Sequence, residues 1–189
     1  MGIFSYLSVL VSIIIGLGMS HLLKALVRLI HDRAHVKIYW PSLLWAANLF
    51  LLFTLLWWAD YQLNRHTQWT FSAFFCTLSL PTVLYVVSGL VMPWGDSSGI
   101  YDMRKTYFTN RTWLLSLSAL AVALSFLQTY LLDGSIRWDF DAWLKVGLIA
   151  VTLVPVFAKN EKVQYAAAAV NLTWIVAYIA LLFSNLRTG

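Results

Sequence analysis

Six long apolar runs, separated by short charged clusters, constrain this chain more than any other feature. They fall at about residues 3–30, 40–61, 69–92, 113–133, 143–159 and 163–186, and an α-helix needs ~20 residues to cross ~30 Å of hydrocarbon. Lipid offers no partner for bare N–H and C=O groups, so runs of this length must be helical. Composition agrees: 60% of the 189 residues are hydrophobic and 11% are charged, against roughly 25% charged in a water-facing domain. A soluble globular fold is thereby excluded. The expected fold is all-α, a polytopic integral membrane protein whose six transmembrane helices form one compact bundle, with residues 1–189 as a single domain. The fifth run is the marginal one. It is short, contains Pro155, and begins beside Lys145, whose amine would have to snorkel outward.

Charge placement gives a direction. Lys24, Arg28, Arg33, Lys37, Arg104, Lys105, Arg111, Lys159 and Lys162 flank the first, third and fifth loops, whereas the other loops and the tail hold only Arg65, Arg137, Lys145 and Arg187. Nine positives against four put the odd-numbered loops in the cytoplasm and both termini outside, an N-out/C-out topology. Trp40, Trp57, Trp58, Trp69, Trp94, Trp113, Trp138 and Trp143 mark run ends, where amphipathic rings prefer the headgroup boundary. The first run follows Met1 and Gly2 without a basic segment, so it reads as a span and not as a cleaved signal. The net charge of +5 is that of loop residues that orient helices. No nucleic acid is expected as a partner, and membrane lipids are the expected surroundings.

The first helix carries Ser8, Ser12, Gly16 and Ser20 at four-residue intervals, a face of small side chains. Such faces let membrane helices approach closely, so this one is the candidate for helix packing within the chain or for an oligomer interface. Gly18 lies off that face and is expected to add flexibility. His21 follows, an ionisable residue at membrane depth and therefore a candidate for a functional or pH-sensing role. Counted from their odd-loop ends, His21, Asn48, Tyr85, Thr152 and Asn171 all lie at about seven to nine residues' depth, roughly 10–14 Å inside the boundary. This common layer is the candidate pore lining or hydrogen-bonded core. Pro81 and Pro155 fall inside runs, where each removes an intrahelical bond and kinks its helix.

Enzyme templates do not fit. A bis-histidine haem site needs a second intramembrane histidine beside His21, and His31, His35 and His66 belong to loops. Cys76 stands alone, and no set of acids, histidines or thiols has metal-ligand spacing. No catalytic residue, metal or other cofactor is expected. The stretch Gly16-Leu-Gly-Met-Ser-His-Leu-Leu23 with Arg28, Tyr39-Trp40, Trp45 and the Trp57-Trp58 pair resembles small uncharacterised bacterial inner-membrane proteins. That resemblance covers the first 60 residues or so and implies a bacterial inner (plasma) membrane location, with no activity to carry over. Three functional classes stay open. The first is a small oligomeric channel or transporter for ions, protons or a small solute. The second is a non-conducting sensor, scaffold or complex subunit, with loop 95–112 as the contact for a cytoplasmic protein partner. The third is a lipid or redox enzyme. A homo-oligomer is expected, because short loops leave little chain to shield polar faces.

Overall fold

The computed structural model describes residues 3–66, 68–92, 101–158 and 160–182. Among them run α1 (Ile3–His31), α2 (Trp40–Asp60), α3 (Phe71–Val91), α4 (Met103–Asp133), α5 (Phe140–Phe157) and α6 (Glu161–Leu182). All six are long and apolar enough to cross a membrane. The chain is a multi-pass helical bundle. The expected loop segment 95–100, Trp94, Lys159 and the tail beyond Leu182 with Arg187 lie outside the described residues.

Helix ends follow local chemistry. Thr70, Asp102 and Asp139 each accept a bond from the backbone N–H three residues on, at 3.1–3.2 Å, and so cap α3, α4 and α5. Gly134 closes α4 in the left-handed region at φ 72°, and its N–H reaches Tyr130 O at 3.0 Å. Two departures from the sequence reading stand out. The fourth helix begins at Met103 and not near 113, so its 31 residues rise ~46 Å and overrun the hydrocarbon. Its first turns are amphipathic, with Met103, Tyr107 and Arg111 buried and Arg104, Lys105 and Thr109 exposed. Hydropathy alone therefore missed them. The fifth helix begins at Phe140, and Lys145 does not snorkel alone: its Nζ pairs with Asp141 Oδ2 one turn back at 2.6 Å.

A short tie joins the first and third loops. Residues Val36–Lys37 (β1) pair in parallel with Tyr101–Asp102 (β2), Val36 opposite Tyr101. Two residues carry no readable period, so this contact was invisible in the sequence.

The helices close into a ring in the order α1, α3, α4, α5, α6, α2, with α2 also touching α3 and α4. Sequence neighbours run antiparallel, so the α1–α3 and α6–α2 contacts are parallel. On α1 the buried face is Leu7, Val11, Ile15, Gly18 and Leu22, the three-and-four spacing of one helical stripe. Phe53 of α2 is fully buried against it. A Cβ on Gly18 would stand 2.2 Å from Phe53 Cζ, far inside van der Waals contact. Gly18 is thus the close-approach glycine, and its role is packing in place of the flexibility expected of it. Both span prolines are buried, and the helices run on through them. Around Pro81, the hydroxyls of Thr77, Ser79 and Thr82 bond back to the carbonyls four residues earlier at 2.7–2.9 Å.

Candidate functional site

One face of α6 carries a line of buried polar groups. Gln164, Asn171 and Tyr178 follow one another at intervals of seven, and all three are buried. Ala167, Ala168 and Ile175 fill the spaces between them on the same face. Seven residues are close to two turns, so the three polar side chains stack at ~10 Å intervals down one line. Each level binds a different set of neighbours.

At the odd-loop end, the Tyr107 hydroxyl of α4 donates to Gln164 Oε1 at 2.8 Å. The Gln164 amide donates in turn to Pro155 O at 2.9 Å and Ala158 O at 2.5 Å. Arg111 adds Nη1 to Ala158 O at 3.0 Å and Nη2 to Val156 O at 3.2 Å. These carbonyls belong to the C-terminal end of α5, where every helix leaves acceptors without intrahelical donors. A cation there also meets the negative end of the helix dipole, which compensates for burying Arg111 to 8% exposure. By sequence, Arg111 reads as a loop charge. The structure makes it a buried cap for α5.

At mid-depth, Asn48 Nδ2 of α2 donates to Asn171 Oδ1 at 2.6 Å, and Asn171 Nδ2 donates to Thr152 Oγ1 of α5 at 2.7 Å. The Thr152 hydroxyl then donates to Leu148 O at 2.8 Å. Every donor in this run points the same way, from α2 through α6 to α5. At the even-loop end, the Tyr178 hydroxyl donates to Asp141 Oδ1, whose other oxygen holds Lys145. Lys145 also lies 5.8 Å from the centre of the Phe126 ring of α4.

The expected polar layer therefore divides. Asn48, Thr152 and Asn171 come together in a single buried run. His21 and Tyr85 belong elsewhere, on α1 and α3. A ring nitrogen of His21 lies 3.0 Å from Met92 O, and its ring meets Tyr85 edge-on at 6.5 Å between centroids. Tyr85 itself is 42% exposed. His21 thus ties α1 to the end of α3 and does not join the mid-depth run. The small-residue face of α1 points away from the bundle: Ser12, Gly16 and Ser20 are exposed and Ser8 is half-buried. Gly16 has open space where its Cβ would be.

Just before α2, Tyr39 packs against Tyr107, Phe108 and Tyr165, with ring centroids 5.2, 6.0 and 5.6 Å away. Burial pushes its phenol well above the usual range, and the nearby Tyr107 adds to this. Next to this cluster Arg104 pairs with Glu161 at 2.9 Å, joining the starts of α4 and α6. On the outer surface, Leu144, Ala169, Thr173, Trp174, Ala177 and Tyr178 help to line an open groove of about 450 Å³ between α5 and α6. Among the described residues, no group of three or more His, Cys, Asp or Glu converges to hold a metal ion.

Fold and site together define a multi-pass helical membrane protein with a polar spine inside it. Comparison of the chain with family models, with curated proteins and with solved structures finds no match.

Proposed function

We propose that this chain is a non-conducting subunit or scaffold of the bacterial inner membrane, with its odd loops in the cytoplasm, that assembles with copies of itself through the outer face of α1. The observation that carries this reading is the contrast between inside and outside. The side-chain donors of Gln164, Asn171 and Tyr178 are each given to fixed protein acceptors. Ser12, Gly16 and Ser20 instead face outward, and among the described residues no atom lies within 4 Å of where a Cβ on Gly16 would be. Lipid tails are as apolar as leucine, so a face of small residues gains from close backbone approach by another helix. The start of α4 supplies a second contact for a cytoplasmic partner through the exposed Lys105 beside the Arg104–Glu161 pair.

The test pairs an assembly measurement with a flux measurement. Native mass spectrometry from mild detergent should show a homo-oligomer that the double variant Ser12→Leu, Gly16→Leu converts to monomer. The same protein in liposomes should pass no more protons or monovalent ions than empty vesicles. Flux that is saturable and lost in Asn171→Leu would overturn the non-conducting reading and favour passage along the spine. A monomeric native chain would overturn the assembly.

A further inference from the structure

We propose that the groove between α5 and α6 binds one acyl chain of a membrane phospholipid, taken from the leaflet on the even-loop side. Its volume is about 450 Å³. Along α6 its lining runs from Ala169 to Leu181, a rise of ~18 Å. The helix itself spans Glu161–Leu182, so the groove occupies the half of α6 nearer the even loops. One leaflet of hydrocarbon is ~15 Å deep. The groove therefore starts near the bilayer middle and ends at one headgroup boundary, which is the extent of a single lipid tail. At that outer end Trp143, the neighbour of Leu144, is exposed, and its ring lies 5.8 Å from that of the exposed Trp138. Tryptophan rings prefer this headgroup level.

The lining selects hydrocarbon. Ala169, Thr173 and Ala177 follow at intervals of four, a row of small side chains along α6. Trp174 reaches across to α5, where its ring lies against Gly147 and its N–H donates to Leu144 O at 3.2 Å. The other polar side chains of the lining have also given their hydrogens to the protein, Thr173 to Ala169 O at 2.9 Å and Tyr178 to Asp141. A polar solute thus finds no side-chain donor in the groove. A helix of a second copy is ~10–12 Å across. The groove's 450 Å³ spread over ~18 Å gives a mean section of about 25 Å², or ~5 Å across, which takes a polymethylene chain and not a helix. A lipid tail is already dry, so burial from water adds little. Dispersion holds it instead, because the groove walls replace mobile neighbours with fixed contacts on several sides. In the ring of helices α5 and α6 are not neighbours of α1, so the site does not depend on assembly through α1.

The experiment uses the full chain, stripped of lipid in mild detergent and mixed with dipalmitoyl phosphatidylethanolamine. Native mass spectrometry then counts the lipids kept by each protomer, and one should remain. Thr173→Trp fills the groove from an exposed position and should lower that occupancy several-fold. Leu120→Trp, equally exposed on α4, should leave it unchanged. A second measurement needs no variant: the native chain in nanodiscs is irradiated with a phospholipid that carries a diazirine near the end of one tail. Its adducts should concentrate between Ala169 and Thr173, at the inner end of the groove. A native chain that keeps no lipid would overturn the proposal, as would an undiminished count in Thr173→Trp or an equal loss in Leu120→Trp. Adducts spread evenly over the outer faces of α3 and α4 would overturn it whether or not the variants fold.

Discussion

The α1–α2 contact and the α5–α6 contact join helices in the same bundle by different physics. Where α1 meets α2, the fit is one of shape: Gly18 gives the fully buried Phe53 the room it occupies. Where α5 meets α6, shape is joined by chemistry. Gly147 lets Trp174 approach, since a Cβ there would be 2.6 Å from the ring, and the Trp174 N–H donates to Leu144 O at 3.2 Å. Gln164, Asn171 and Tyr178 add hydrogen bonds at successive depths. A contact held by shape fixes distance but leaves sliding along the axis weakly opposed. Polar pairs at three depths fix the register as well, because any slide breaks all of them together.

The comparison breaks first at Gly18. Gly18→Leu forces a side chain into the ring of a fully buried phenylalanine, and overpacking of this kind costs about 3 kcal/mol or more. Folded yield and thermal stability in detergent should collapse. Gly16→Leu, two residues away on the open face, should leave the protomer's stability nearly unchanged. Equal damage from both would mean that the α1 faces are assigned the wrong way round.

Next in size is Asn171→Leu. It removes the acceptor for Asn48 and the donor to Thr152, and leaves the Asn48 amide buried without its partner. Hydrogen bonds between membrane helices are worth about 0.6 kcal/mol on average and up to about 1.7. Two lost bonds and an orphaned amide should therefore cost about 1–3 kcal/mol. Unfolding in mixed micelles would measure it, and Asn171→Gln should recover part of the loss.

Tyr178→Phe should have the smallest effect. Asp141 keeps Lys145 at 2.6 Å after the hydroxyl is gone, so the carboxylate is not stranded. The expected loss is about 0.5–1 kcal/mol. A much larger loss would place the main anchor of α5 at its even-loop end and not at its middle.

How much of this was legible beforehand varies by residue. The spans were readable because burying a backbone in lipid demands long apolar helices, and the bounds of α2 and α3 lie within two residues of expectation. Counting depth puts Asn48, Thr152 and Asn171 at one level, and hydrogen bonds join the three. The same count grouped His21 and Tyr85 with them, because depth says nothing of the direction in which a side chain points around its helix. The α6 spine left a signal that went unread. Gln164, Asn171 and Tyr178 repeat at seven on a helix whose other residues are mostly alanine and aliphatic. Arg111 could not have been recognised, since its role depends on where α5 ends in space. The choice between Gly16 and Gly18 as the packing glycine likewise turned on Phe53, a residue on a different helix.

A double-mutant cycle on Asn48 and Asn171 in a lipid bilayer tests the central claim most directly. The claim is that specific hydrogen bonds, and not apolar fit alone, hold α6 in place. Asn48→Leu, Asn171→Leu and the double variant are unfolded reversibly beside the native chain. The account predicts a coupling of about 0.5–1.5 kcal/mol between the two sites, with the double variant less destabilised than the sum of the singles. Strict additivity, with no coupling beyond about 0.3 kcal/mol, would contradict it.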